Sequence, residues 1–259
     1  MDVEAYLERI RYREASNPST HRPTIDLLRS LHRAHLFTVP FENLDIHIGR
    51  TITCDEPRIL HKIINERRGG FCYELNGAFA ALLRELGFSV TMFSARVARD
   101  DGSLGPEFDH LTLRVDLVQP WLADVGFGDS FLEPLPLEDE TEQEQAGRIY
   151  RVIPQPASSD REFALEVMAK SQWKKQYVFT LQPHVLSDFA GMCHYHQTSP
   201  ESHFTRQQIC SLATSEGRVT LSENKLIETR SGARLESVLA GRDEWRAELK
   251  ARFGVVLPS

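Results

Sequence analysis

"ERRGGFCYELNGAFAALLRELGF", residues 66–88, sets two glycines and a cysteine directly ahead of a long amphipathic run. Leu75, Ala78, Phe79, Leu82, Leu83 and Leu86 recur at three- and four-residue steps and Gly87 supplies a stop, so the stretch reads as a helix. Cys72 then falls in or just before the first turn. Backbone N–H groups there lack intrahelical partners and the helix dipole is positive, which favours a thiolate over a thiol. Such placement can bring a thiol pKa from about 8.5 into the range of roughly 3.5–7.5. Cys72 is therefore a candidate nucleophile; the plainer alternative is a small apolar residue packed beneath a Gly-Gly turn.

The sequence upstream of this helix is helical in period. Val3, Tyr6, Leu7 and Ile10 form one stripe, "TIDLLRSLHRAHLF" a second with Thr24 as cap after Pro23, and "PRILHKIINER" a third. "TVPFENLDIHIG" between them reads as extended, pinned by Pro40. A compact helical bundle is the simplest arrangement. After Gly87 the period changes to two, with "SVTMFSARV", "DHLTLRVDL", "WLADVGF", "RIYRVI", "REFALEVMA" and "QYVFTL" spaced for a meander or barrel. The acidic run "LEDETEQEQAG", 137–147, reads as a solvated loop. "QQICSLATSEGRVTLSENKLIETRSG" follows as strands with turns at Glu216-Gly217 and Glu223-Asn224, and "GRDEWRAELKARFG" as a closing helix stopped by Gly254. The class is α+β, with expected divisions at 1–86, 87–190 and 191–259.

Composition narrows the function classes. A chain of 259 residues, 41% hydrophobic and 26% charged, can bury a substantial core. Its formal charge of −7 argues against a nucleic-acid-binding body, which carries a clustered basic excess. No apolar run approaches a membrane span, and "MDVEAYLERIRYREA" is unlike a signal peptide, so a cytoplasmic location is expected. Cys54, Cys72, Cys193 and Cys210 are too widely spaced for a disulfide framework and are expected as free thiols. "CHYH" (Cys193, His194, His196) is read as a strand with both histidines on one face; without a fourth ligand no metal is expected.

A cysteine nucleophile needs a base, and the base an orienting group. His110 opens the strand "HLTLRVDL", whose Leu111, Leu113, Val115 and Leu117 face one side while His110, Thr112 and Arg114 face the other. Asp124 closes the next strand, just before "VGFG". Placing His110 opposite Asp124 requires a reversal around Leu117, whereas Pro120 suggests a later turn, so the register stays open.

"RRGGFCYELNG", "HLTLRV" and "LADVGFG" resemble the cysteine, histidine and aspartate motifs of arylamine N-acetyltransferases of the bacterial type. "TVPFENLDI" and "SPESHFTRQQICSLAT" are similar to further blocks of that family, in the same order, over roughly residues 5–250. The resemblance implies an N-terminal helical bundle, a central antiparallel β-barrel and a C-terminal α/β lid, with a cysteine-protease-like Cys-His-Asp triad of Cys72, His110 and Asp124. It implies aromatic residues Phe37, Phe127 and Phe204 in the amine pocket, and Gly126, Phe127 and Gly128 near the coenzyme A path. Arg68 and Glu42 fall where a buried ion pair steadies the loop before the cysteine. Phe71 before the cysteine and Asp129 after "GFG" depart from the pattern; Asp129 puts a charge close to where an acyl donor would pass.

The implied reaction moves acetyl from acetyl-CoA, a co-substrate rather than a tightly bound cofactor, to an aromatic amine or hydrazine through an acetyl-cysteine, by a ping-pong route. Two alternatives use the same side chains: an amide synthase of this fold acting on a polyketide chain, and a cysteine hydrolase. A non-enzymatic binding module is a further class.

Overall fold

The computed structural model describes residues 1–13, 22–155 and 161–258. The first part is helical: α1 (Val3–Arg9), α2 (Ile25–Leu36), α3 (Leu44–His47), α4 (Glu56–Leu60), a π-helical turn over His61–Asn65, and α5 (Cys72–Glu85). Asp2 and Thr24 cap α1 and α2 by accepting the N–H groups of Ala5 at 2.9 Å and Leu27 at 3.2 Å. Leu75, Ala78, Phe79, Leu82 and Leu83 of α5 are fully buried, and each large side chain contributes about 1.5–3 kcal/mol by leaving water. Gly87 ends that helix at φ +85°. "TVPFENLDIHIG" is extended only over β1 (Phe41–Glu42). It turns helical at Leu44 because the Glu42 carboxylate accepts the Leu44 N–H at 2.8 Å, satisfying an amide that α3 cannot.

The second part is an antiparallel sheet of β2 (Ser89–Val97), β3 (His110–Asp116), β4 (Pro120–Ala123), β5 (Leu135–Pro136), β6 (Gln143–Gln145), β7 (Arg148–Pro154), β8 (Glu162–Ala169) and β9 (Gln172–Thr180). Its order is β5-β4-β3-β2-β9-β8-β7-β6. The sheet curls into a nearly closed barrel around Phe93, Phe131, Leu135, Tyr150, Leu165, Tyr177 and Phe179. Across the gap, Gln145 of β6 accepts the Leu132 and Glu133 N–H groups at 2.8 Å and donates to the Glu133 carbonyl at 2.9 Å, just ahead of β5. The acidic run is thus only partly a loop. Ala146 and Gly147 take positive φ in a two-residue turn that pairs β6 with β7, a conformation suited to the twist of a hairpin.

The last part holds a 3-10 turn over Leu186–Phe189, α6 (Ala190–Thr198), α7 (His203–Arg206), β10 (Ile209–Thr214), β11 (Gly217–Ser222), β12 (Lys225–Arg230), β13 (Ala233–Val238) and α8 (Arg242–Phe253). "CHYH" therefore lies on a helix, α6. The helical period Phe189, Cys193, His196 is buried there, whereas His194 is exposed on another face. The second sheet runs β1-β10-β11-β12-β13, so β1 from the helical part pairs with β10, Phe41 opposite Ser211 and Glu42 opposite Cys210. Trp245, Leu249 and Phe253 of α8 share a buried cluster with Leu44, Cys210, Val219 and Leu221. No helix among the described residues is long and apolar enough to cross a membrane.

Candidate active site

Cys72 is the first residue of α5, buried to 3% exposure, and the chain entering it is fixed by close backbone packing. A Cβ on Gly69 would lie 1.9 Å from the Pro40 carbonyl oxygen, and one on Gly70 2.6 Å from Glu74. Only glycines let the strand-like bridge form in which Glu42 N–H donates to the Gly70 carbonyl at 2.9 Å. Glu74 accepts the Phe71 N–H at 3.2 Å and the Lys62 ammonium at 2.7 Å. Lys62 also meets Asp45 at 2.9 Å, and Arg68 pairs with Glu42 and Asp45, each at 2.8 Å. These five buried charges lock β1, α3, the π-helical turn and the start of α5 together. Burial alone would depress Lys62, but Glu74, Glu42 and Asp45 override it and hold its ammonium above the usual range.

Two side chains of α5 carry β3 and the Asp124 loop to the cysteine. Tyr73 donates to the Phe108 carbonyl at 2.7 Å, fixing the approach to His110. Asn76, one turn after Cys72, donates to the Leu111 carbonyl at 2.6 Å and to Asp124 Oδ1 at 2.8 Å, and accepts the Val125 N–H at 2.9 Å. Leu111, Leu113 and Val115 join the core of the helical part, leaving His110 and Thr112 on the barrel side. The β3–β4 register centres on Val118, with Leu113 opposite Ala123 and Asp116 opposite Pro120. His110 is accordingly offset from Asp124 rather than directly opposite, yet its Nε2 donates to Asp124 Oδ2 at 2.7 Å.

Asp124 is fully enclosed by donors: His110, Tyr177 Oη at 3.0 Å, Asn76, and Gly126 N–H at 2.9 Å. Burial would raise its carboxyl, but the imidazole of His110 and these hydrogen bonds outweigh that and keep it ionised below the usual range. The Asp124 N–H donates to His32 Nε2 at 3.1 Å, so His32 donates from Nδ1 to the Leu132 carbonyl at 2.8 Å. Burial pushes His32 down to about 4, which keeps it in this neutral tautomer. With Nε2 of His110 committed to Asp124, Nδ1 is the ring nitrogen available to the cavity.

The expectation of an acidic thiol is not met by the helix end alone. Burial pushes the Cys72 thiol well above its ordinary value, opposed in part by the Leu111 N–H and reinforced by the Asp124 and Asp109 carboxylates.

Cys72, His110, Gly126, Phe127, Gly128 and Phe204 line one cavity of about 500 Å³, with Asp124 behind His110. A Cβ on Gly126 would lie 2.8 Å from Cys72 Cα, so this glycine lets the loop press onto Cys72. Phe127 stands edge-on to His110 at 5.2 Å, and Phe204 packs on Phe71, Phe41 and His196. Asn43 holds this aromatic wall, donating to the Phe204 carbonyl at 2.9 Å and the Gln207 carbonyl at 2.8 Å. Phe37 does not line the cavity: it lies under the Arg33 guanidinium in a separate groove beside β10 and β11, and Phe41 takes the inner position. Asn76, Tyr177, Asn43 and Phe41 were not anticipated. Asn76 left a trace as a polar residue one turn beyond Cys72 in an apolar run; Tyr177 left none. Among the described residues no group of three or more His, Cys, Asp or Glu side chains is arranged to hold a metal.

Comparison with known proteins matches residues 24–259 to the family described as N-acetyltransferase. The arylamine N-acetyltransferase / N-hydroxyarylamine O-acetyltransferase of Salmonella typhimurium is 34% identical over 83% of this chain and 76% of its own length. The arylamine N-acetyltransferase of Mycobacterium tuberculosis is 34% identical over 98% of this chain and 89% of its own. Solved structures of arylamine N-acetyltransferases from Salmonella typhimurium and M. tuberculosis superpose with TM-scores of 0.90 and 0.87 at 30% and 33% identity, covering 99% and 98% of this chain and 92% and 94% of theirs. From the sequence match, the shared fold and the site geometry together, the chain belongs to the arylamine N-acetyltransferase family.

Proposed function

We propose that the chain transfers acetyl from acetyl-CoA to the nitrogen of an aromatic amine or hydrazine, with Cys72 as nucleophile, His110 as base and Asp124 as the carboxylate that orients the base. The observation that carries the assignment of roles is the 2.7 Å bond from His110 Nε2 to Asp124 Oδ2 beside the cavity that Cys72 lines. His110 Nδ1 takes the thiol proton, and the sulfur attacks the thioester carbonyl as the imidazolium forms. The bond to coenzyme A breaks, and its thiolate leaves with the proton from His110. The amine then attacks the acetyl-cysteine, gives its proton to His110 and displaces the cysteine sulfur, which regains a proton. Aryl amines are weakly basic and already neutral near pH 7, so the second attack needs no prior deprotonation. Asp124 supports the imidazolium in both halves.

Gly126, Phe127 and Gly128 are assigned to the coenzyme A side, and Phe127 and Phe204 to the amine side, where aromatic contacts contribute about 0.5–1.5 kcal/mol per well-placed pair. Segments 1–86, 87–190 and 191–259 divide the work as nucleophile carrier, carrier of base and carboxylate, and cover. A cytoplasmic setting suits a thiol nucleophile that must stay reduced. The test is mass spectrometry after mixing with acetyl-CoA: one acetyl increment on the Cys72 peptide, discharged by an aromatic amine and absent in Cys72→Ser. Rapid loss of the acetyl group to water without amine would identify a hydrolase instead.

A further inference from the structure

The second sheet has one open border. At its other end β1 is two residues long and bridges to Gly70, while the gap in the barrel is spanned by Gln145. Among the described residues nothing but β12 pairs with β13, and the ladder runs from Lys225 opposite Val238 to Arg230 opposite Ala233 without a bulge. All of β13 is exposed, Leu235 to 63% and Val238 to 69%. Proteins ordinarily protect such an edge with proline, lysine or a bulge. "ARLESV" has none of these. Ser231 and Gly232, the two residues that turn β12 into β13, both take positive φ, 48° and 83°. Residues flanking such a turn exchange both hydrogen bonds, and the pattern alternates from there. Ala233, Leu235 and Ser237 therefore direct their backbone groups to β12, and Arg234 and Glu236 turn theirs outward.

We propose that β13 is a self-recognition edge whose occupant is the β13 of a second copy of this chain, antiparallel and centred on Leu235. Backbone and charges select the same register. With Leu235 opposite the partner's Leu235, Arg234 lies opposite the partner's Glu236 and Glu236 opposite the partner's Arg234. Outward N–H and C=O groups then meet outward groups, and each cation meets an anion. Sliding the partner by one residue sets outward groups against inward ones. Sliding it by two sets arginine against arginine or glutamate against glutamate, like charges directly opposite. Within one strand Arg234 and Glu236 already meet at 2.5 Å, and the pairing brings two such couples together across the axis. Leu235 shares a face with Ser237, which stands opposite Leu226 of the α8 cluster, so the two leucines meet at a non-hydrogen-bonded position where side chains come closest. The seam also borders the candidate active site: Arg234, with Ile227 and Thr229 of β12, lines the cavity of Cys72, and a partner strand extends that wall. One six-residue seam is small beside standard interfaces of about 1,600 Å², so the association is expected to be weak and concentration dependent.

Sedimentation velocity of the full chain at low salt, from about 5 to 500 μM, tests this. Wild type is expected to show a monomer–dimer equilibrium in the upper part of that range. Arg234→Glu and Glu236→Arg, each alone, place like charges opposite one another twice across the seam and should weaken self-association by about tenfold or more. The two variants are complementary to each other, so their equimolar mixture should regain the dimer, as should the double variant Arg234→Glu/Glu236→Arg. Circular dichroism checks that these exposed substitutions keep the fold. Wild type that stays monomeric at the highest concentration overturns the proposal and leaves the edge to a strand of another protein or to water. Dimers that both single variants retain, or that neither the mixture nor the double variant restores, overturn the register and with it the assignment to β13. Sedimentation needs no acyl donor, so this result and the fate of acetyl-Cys72 are read separately.

Discussion

Replacing Asp124 with asparagine isolates what the carboxylate does, because the shape is kept and one acceptor becomes a donor. Asp124 receives four hydrogen bonds, two on each oxygen: His110 and Tyr177 on Oδ2, Asn76 and Gly126 on Oδ1. An amide can face only one of these pairs with oxygen, so its NH2 confronts two donors whichever way it turns. Leaving two buried donors unmet costs about 2–6 kcal/mol. The cheaper orientation puts the NH2 toward His110 and Tyr177, because the Tyr177 hydroxyl can turn to Thr112 Oγ1, 3.2 Å away. His110 must then accept at Nε2 and carry its proton on Nδ1, where it cannot receive one from Cys72. Stability should therefore fall by about 2 kcal/mol, at the low end of that range. The rate of Cys72 acetylation should fall by about 10³- to 10⁴-fold, the scale of a wrong-tautomer substitution in a triad. Single-turnover acetylation followed by intact mass, with urea unfolding alongside, separates the two effects. An acetylation rate within tenfold of wild type in a folded Asp124→Asn protein would refute the tautomer argument.

Three more outcomes follow from the geometry. Burial holds the Cys72 thiol up; with His110 in its proposed role as the base that takes the thiol proton, iodoacetamide should alkylate wild type near neutral pH. His110→Gln should react appreciably only above the ordinary thiol range; unchanged pH profiles would exclude the coupling. His32, held to about 4 in the folded state against 6.5 for the free side chain, stays neutral while the unfolded chain takes up a proton. Its contribution is thus complete above about pH 6.5 and is lost on acidification toward pH 4, amounting to about 3 kcal/mol; urea unfolding of His32→Gln should show a shallower acid slope, and parallel slopes would contradict the assignment. Gly126→Ala would place a Cβ 2.7 Å from Asn76 Nδ2 and 2.8 Å from Cys72 Cα, neither of which can retreat freely. We expect at least a hundredfold loss of acetylation with the fold retained by circular dichroism; near-normal activity would show that the loop has slack.

Features written in local chemistry were legible. The α5 helix and its leading cysteine followed from an apolar period of 3.6 framed by glycines, and the barrel strands from alternation. The Cys72–His110–Asp124 grouping rested on resemblance, because no local signal fixes the β3–β4 register or carries β3 onto α5. That joining depends on Asn76 and Tyr73, whose partners lie 35–49 residues away. "CHYH" misled because an alternating tetrapeptide looks like a strand, while the burial of Phe189, Cys193 and His196 follows a helical step that only tertiary packing makes decisive. The thiol prediction weighed the helix dipole and could not weigh desolvation, which depends on everything folded over the sulfur. Phe37 and Phe41 flank one proline-containing turn, and which of them faces inward is settled by the pairing of β1 with β10.

That pairing also has a consequence for biosynthesis. Phe41 and Glu42 meet Ser211 and Cys210, 170 and 168 positions later, so although β1 bridges to nearby Gly70, its partner in the sheet reaches it only after some 210 residues have left the ribosome. Until then the side of the Cys72 cavity that Phe204 and β10 supply stays open. Contacts so remote along the chain are gained late and at an entropic cost, which makes assembly of the reactive chamber a closing event of folding. Under the proposed function, the Cys72 thiol is thereby withheld from acyl donors until the rest of the protein is in place.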